Sequence, residues 1–237
     1  MVNLGNVRIV LCRPQHPGNI GSAARAMKTM GLGDLRLVKP ERYPAPESQW
    51  MAANALDVLQ AAVLHETLTD AIAECVAAFA LSARPREWAP PVLDARAAAA
   101  KALGLGGKVA FVFGAERAGL ENDEVLACQH LVHIPAVPGD GSLNLAQAVQ
   151  VVAYELFMAA GSTGFREKHG KLATVEDLEG LYGHLEQAAV GSGFLDPQSN
   201  SKLRTRWRRL FSRVTLEREE VNILRGLLNA LQDAKKE

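Results

Sequence analysis

The feature that most restricts this chain is an alternation of two hydrophobic patterns through its first 160 residues. Short unbroken apolar runs stand at 7–12, 35–38, 76–82, 109–113 and 131–134. Helical patterns lie between and after them, most clearly at 20–30, 68–75, 94–103, 123–129 and 143–160. Runs without polar alternation imply strands buried on both faces, which is the habit of parallel sheets covered by helices. Parallel neighbours also need long crossovers, and the helices supply them. The expected fold class is therefore α/β with a parallel sheet. Such sheets bind ligands beyond the carboxyl ends of their strands, so the loops that follow each strand are the places to search.

The pattern changes after residue 160. Segment 161–173, GSTGFREKHGKLA, is polar and Gly-rich and reads as a linker. Three helical patterns follow, at 175–190, 201–214 and 217–235, and no strand-like run interrupts them. The expected organisation is an α/β domain over 1–160 and a small all-helical domain over 174–237. With 48% hydrophobic residues in 237, both can bury a core.

Lys+Arg and Asp+Glu are equal at 26 each, so net charge gives no general pull toward nucleic acid. The local distribution differs. Residues 199–214 hold six basic residues and no acidic one. On a helix Lys202, Arg206, Arg209 and Arg213 share a face, and Leu203, Trp207, Leu210 and Val214 form the apolar face beside it, expected to pack. A positive stripe of this kind suits a phosphate backbone.

Cys12, Cys75 and Cys128 are scattered and odd in number, with no CxxC pair, and are expected to be buried free thiols. His130 and His133 fall on opposite faces of a strand and cannot share a metal, and no metal site is expected. The first residues lack the basic and apolar regions of a signal peptide, and no apolar run approaches the roughly 20 residues of a membrane helix. A cytoplasmic protein without a membrane partner is expected.

The loops after the strands carry the chemistry. HPGNIGSAARAMKTMG follows the first strand: Gly18 and Gly21 suit a tight turn, Asn19 can cap a helix, and Arg25 lies among Ala and Met, either reaching for solvent or held for a task. In LSARPREWAPP, Arg84 and Arg86 flank Pro85, where guanidinium forks in a rigid loop suit phosphate. In FVFGAERAGLENDE, Gly114 permits close approach of a ligand to the backbone, and Glu116 sits in the turn. In PGDGSLNLAQAV, a polar residue can cap the long helix, or the helix N-terminus can hold a ligand. Taken singly, each loop also reads as an ordinary turn between strand and helix.

In their order over residues 7–158, NIGSAAR, FVFGAERAGL and IPAVPGDGSLNLAQAVQVVAYE resemble the three motifs of the SpoU-type branch of the SPOUT RNA methyltransferases. Further along, ARAMKTMGL, SAR followed by Arg86, LYGHLEQ, KLRTRWRRLFSR and VNILRGLL resemble the bacterial tRNA methyltransferases of that branch that modify the ribose 2′-oxygen of cytidine or uridine at anticodon-loop position 32. That likeness spans nearly the whole chain. It implies an α/β knot, with the end of the sheet domain threaded as a deep trefoil, S-adenosylmethionine as methyl donor, a homodimer with its site near the subunit interface, and tRNA as partner. By the family's pattern Leu81, Ser82, Ala83, Gly114, Ile134, Gly141, Ser142 and Leu143 contact the cofactor. Arg25 matches the essential arginine, and Asn19, Glu116, Ser142 and Asn144 match the supporting polar positions in catalysis. Arg84 and Arg86, with the basic face of Lys202, Arg206, Arg209 and Arg213, would guide RNA. Two positions depart from the pattern: Leu81 replaces a small polar residue, and Gly141 stands where Ser is common. A guanidinium deprotonates only above about pH 12, so the role implied for Arg25 is to bind the neighbouring phosphate or the developing alkoxide, unless a bound phosphate helps it take the proton. Three other readings stand beside this one. The first is a SpoU-type enzyme acting on another tRNA ribose or on ribosomal RNA; the second is a non-catalytic RNA-binding protein on the same scaffold; the third is a nucleotide-dependent α/β enzyme of small molecules.

Overall fold

A computed structural model describes residues 4–84, 86, 89–137, 142–161, 170–196, 198 and 202–233. Seven strands form one sheet in the order β3-β2-β1-β6-β4-β7-β5, and every pairing is parallel. They are β1 (Val7–Cys12), β2 (Asp34–Val38), β3 (Val63–His65), β4 (Ala77–Leu81), β5 (Val92–Asp94), β6 (Val109–Phe113) and β7 (His130–His133). The five apolar runs became β1, β2, β4, β6 and β7. The edge strands β3 and β5 are three residues each, too short to show a period, and they expose Leu64 and Val92. Two short helices, α2 (Pro46–Ala52) and α3 (Leu56–Gln60), were also outside the expected set.

Central strands bury every residue: β1, β4 and β6 have no exposed position. Val7, Ile9 and Leu11 face a core built with α1 (Pro17–Thr29), α5 (Ala95–Gly104) and α7 (Leu145–Ala160). Val10 and Cys12 face the other way, toward α4 (Leu68–Ile72) and α6 (Asn122–Leu126). All three cysteines belong to this second core, buried and unpaired, and burial pushes the Cys75 thiol up to about 11. Arg8, the one charged residue buried in the sheet domain among the described residues, donates to Asp34, to the Ala71 carbonyl and to Glu74. Its burial opposes the charge, and these partners more than offset it.

Two features of the topology set up the site. All strands run the same way, so the loops after β1, β4, β6 and β7 collect at one end of the sheet. In addition, β7 lies between β4 and β5, which are consecutive in sequence. The last strand therefore enters a gap already spanned by the connection from β4 to β5.

Two glycines are required by close backbone approach. A Cβ on Gly21 would lie 2.1 Å from the Ser48 carbonyl oxygen, because α1 and α2 cross there. Gly21 is thus inside the helix and serves the crossing; neither it nor Gly18 forms the tight turn expected of them. A Cβ on Gly114 would lie 2.1 Å from the Gly119 carbonyl carbon and 2.2 Å from the Leu120 nitrogen. Gly114 makes room for the protein's own loop.

The remaining helices are α8 (Val175–Ser192), α9 (Leu203–Phe211) and α10 (Arg218–Asp233). Thr174 and Asp177 cap α8 reciprocally, and Gly193 ends it in the left-handed conformation at φ +78°. The helices share a small core of Ala173, Leu178, Leu181 and Val221. Val175 joins the second core of the sheet domain, and its N–H bonds to the Cys75 carbonyl at 2.9 Å. Most of the expected linker, 162–169, lies outside the described residues. Among the described residues no helix is long and apolar enough to cross a membrane.

Candidate active site

At the carboxyl end of the sheet, three loops meet through one chain of hydrogen bonds. Helix α1 begins at Pro17, so Asn19 is its third residue and not the cap expected of it. The Asn19 side chain bridges instead: Nδ2 donates to Glu116 Oε1 at 2.9 Å, and Oδ1 accepts from Asn144 Nδ2 at 3.0 Å. Glu116 also accepts from the N–H groups of Gln15 (2.8 Å) and His16 (3.1 Å). Burial alone would raise this carboxyl. The bonds from Asn19, Gln15 and His16 outweigh it and hold Glu116 below the usual carboxylate range. At the third loop, Asn144 caps α7, with Oδ1 accepting from Ala146 N–H at 2.9 Å, while Gln147 accepts from Asn144 N–H at 3.2 Å. The cap is therefore Asn144, and Ser142 is left exposed two residues upstream.

Beside this chain lies a cleft that is partly open to solvent. Leu81, Phe113, Ile134, Leu145 and Ala148 give it an apolar wall. Ser82, Arg84, Arg86, Glu116 and Ser142 give it polar groups. Of the residues expected at a cofactor, Leu81, Ser82, Ala83, Gly114, Ile134, Ser142 and Leu143 line this space, and Gly141 lies outside the described residues. A cleft that sets an apolar wall beside a few polar groups has the chemistry that a nucleoside-bearing ligand requires.

A model of the SpoU rRNA methylase family matches residues 6–154, and the C-terminal domain model of the tRNA methyltransferase TrmJ matches 176–237. A tRNA (cytidine/uridine/adenosine-2′-O-)-methyltransferase TrmJ from Pseudomonas aeruginosa is 44% identical, covering 97% of this chain and 95% of its own. The corresponding cytidine/uridine enzyme of Cronobacter sakazakii is 43% identical over 99% of each. Among solved structures, TrmJ from Z. mobilis ZM4 superposes with a TM-score of 0.84 at 37% identity, over 95% of this chain and 98% of that one. The chain belongs to the SpoU methylase family. It is a methyltransferase fold with the helical TrmJ extension attached.

Within this SpoU fold the structure does not bring every expected catalytic residue together. Arg25 is exposed on α1 between buried Ala24 and Ala26, has no side-chain partner among the described residues, and does not line the cavity of its own chain. Arg84 and Arg86 are turned to the protein. Arg84 donates to the Arg117 carbonyl at 3.2 Å; Arg86 donates to the Leu120 carbonyl at 2.6 Å and to Asn122 Oδ1. Sequence reasoning missed Arg13, which holds a positive φ of 49° at the end of β1, pairs with Glu124 and Glu121, and reaches the Gly119 carbonyl. Nothing in the pattern RPQHPGN marked it as different from any basic loop residue.

The extension also differs from expectation. Leu203, Trp207, Leu210 and Val214 were to be the packing face of α9. No residue of α9 is fully buried, and Leu210 and Val214 are 56% and 53% exposed. The helix docks through Arg208, which pairs with Glu179 at 2.7 Å and lies 4.8 Å over the Tyr182 ring, and through Phe211. That ion pair rotates the basic row outward: Lys202, Arg206 and Arg213 are exposed, and Arg209 is half-buried.

Proposed function

We propose that this chain transfers a methyl group from S-adenosylmethionine to the ribose 2′-oxygen of cytidine or uridine at position 32 of the tRNA anticodon loop. The observation that carries the reading is the Glu116–Asn19–Asn144 chain, which ties the three motif loops together at the rim of the cavity. The full-length likeness to enzymes named for tRNA 2′-O-methylation supports the substrate. The residues present fit the cofactor. The apolar wall suits an adenine, and the polar rim suits ribose and carboxylate groups. When bound, S-adenosylmethionine supplies a methyl on a sulfonium, which the 2′-oxygen takes as the C–S electron pair stays on sulfur and the hydroxyl proton is released.

The chain's own part is alignment and charge. Both Glu116 oxygens are engaged, so the residue braces the start of α1 rather than acting as a base. Asn19 and Asn144 fix the two helix starts that frame the cavity mouth. Arg25, as a permanent cation, binds the phosphate next to the target or the developing alkoxide. Its distance from the cavity of its own chain favours a homodimer in which each copy's Arg25 serves the other's cavity. The face of α7 that exposes Tyr154, Phe157 and Met158 is the surface such a pair would cover. We further read 1–160 as the catalytic domain, threaded as a trefoil knot, and 174–237, after the linker at 161–173, as the tRNA-binding extension. Its basic face of Lys202, Arg206, Arg209 and Arg213 would lie along the phosphates, in the cytoplasm where tRNA is found.

The test uses methyl-labelled S-adenosylmethionine, the full chain, and unmodified tRNA transcripts carrying each nucleotide at position 32, adenosine included, followed by nuclease mapping. Label on the 2′-oxygen of C32 or U32 is expected. Label elsewhere would discard the position, and label only in ribosomal RNA would discard the tRNA assignment. Arg25→Ala should lose at least a hundred-fold in transfer, the order seen when one charge-stabilising donor is removed. Its cofactor affinity should stay unchanged.

A further inference from the structure

The loop Ala115–Leu120 forms one wall of the cavity and carries Glu116. Three arginines from two other loops hold it in place. Arg13 grips it from the β1 side through Gly119, Glu121 and Glu124. From the β4 side, Arg84 takes the Arg117 carbonyl. Arg86 takes the Leu120 carbonyl and Asn122 Oδ1 and is itself part of the cavity lining. Arg84 and Arg86 both join the wall after β4 to the wall after β6, and of the two Arg86 makes two bonds to Arg84's one.

We propose that Arg86 is a positioning residue of the cofactor cavity and not a contact for RNA phosphate: from the loop after β4, its two terminal nitrogens hold the segment after β6 at the spacing S-adenosylmethionine requires. The proposal rests on the reading of the cavity as the S-adenosylmethionine site. The clasp costs the protein little to maintain, since a guanidinium is charged at all working pH and its fork is rigid. Without it Arg84 still joins the two loops, through a bond that is longer and more exposed.

The experiment measures S-adenosylmethionine binding by calorimetry without RNA, and tRNA binding across a salt series, for the full-length wild type, Arg86→Ala, Arg86→Lys and Asn122→Ala. Arg86→Ala is expected to weaken cofactor binding roughly ten-fold, because loosening the loop after β6 lowers the fraction of the protein whose cavity is competent to bind. Its tRNA affinity and salt slope should match wild type. Arg86→Lys should recover part of the loss through the Leu120 carbonyl. Asn122→Ala, which removes a partner outside the cavity, should weaken cofactor binding less, and it keeps the question open to decision if Arg86→Ala fails to fold. Amide exchange over 115–122 should quicken in each. Unchanged cofactor affinity, with a tRNA salt slope reduced by about one, would overturn the proposal and return Arg86 to the phosphates. A wild-type chain that binds no S-adenosylmethionine would remove the cofactor reading of the cavity, and this proposal with it.

Discussion

Strands β1, β4 and β6 bury every residue they contain, whereas helix α9 fully buries none. The sheet domain is specified by apolar side chains that admit few arrangements, such as Phe79 stacked on Phe111 with ring centroids 4.8 Å apart. The extension has four fully buried hydrophobic residues in its shared core and holds α9 by charge, through Arg208 with Glu179 and Arg204 with Glu186. On the proposed function, a site that aligns a sulfonium and a hydroxyl within a fraction of an ångström belongs on the first kind of frame. A surface that follows a flexible polyanion tolerates the second, because its contacts fall off slowly with distance. If the contrast is real, single changes in the sheet domain should abolish the site, and changes in the extension should only grade affinity.

The largest expected effect tests the rigid side. Gly114→Ala would drive a Cβ into the backbone of Gly119 and Leu120, neither of which can rotate away. A destabilisation of about 3 kcal/mol or more is expected, as for other overpacked cores, with loss of S-adenosylmethionine binding. Thermal unfolding and calorimetry would check it; a variant that melts with wild type and binds normally would show the loop to be soft.

Glu116→Gln comes next. It keeps the shape and removes the charge that accepts three N–H donors, at about 1–3 kcal/mol. The pH dependence follows from the sign of the shift. The folded carboxyl is held below its unfolded value near 4.3, so its contribution is complete above that pH and is lost as pH falls through the folded value. Wild type and variant should therefore differ by a constant amount from pH 5 to 8 and converge below about pH 4. A gap that changed across pH 5 to 8 would assign the stability to another group.

The same contrast decides what the sequence made legible. Apolar runs announce buried strands because burial leaves no other residue type, so β1, β2, β4, β6 and β7 could be read directly. The loops were legible as ligand sites only in combination. What was hidden depends on partners far away in sequence: Asn19 faces Glu116 and Asn144, 97 and 125 positions distant. Gly114 is glycine because of Gly119, and a conformational reading of Gly114 alone pointed to a ligand. Likewise an arginine beside a proline looks free until a carbonyl 34 residues away is found to hold it, as Leu120 holds Arg86. On α9 the period gave the faces, but which face packs was set by ion pairs to α8, chiefly the partly buried one to Glu179.

That glutamate supports the third test. Arg208→Ala removes a partly buried pair and a cation over an aromatic ring, so α8 and α9 should separate at a cost of about 1–2 kcal/mol. Cofactor binding to the sheet domain should be unaffected. If it falls as well, the two regions are coupled more tightly than their packing suggests.

The smallest effect on the fold, and the sharpest test of the comparison, is the double change Arg206→Ala with Arg213→Ala. Both side chains are exposed, so stability should stay within about 0.5 kcal/mol of wild type. Cofactor affinity should not move, because α9 contributes nothing to the cavity. Affinity for tRNA should fall, and the slope of log affinity against log salt should drop by roughly two, one for each phosphate contact given up. The turnover of tRNA already bound should then match wild type at saturating substrate. A loss of turnover at saturation would mean that α9 places the target nucleotide rather than merely holding the backbone. The extension would then share the positional precision assigned here to the sheet domain alone.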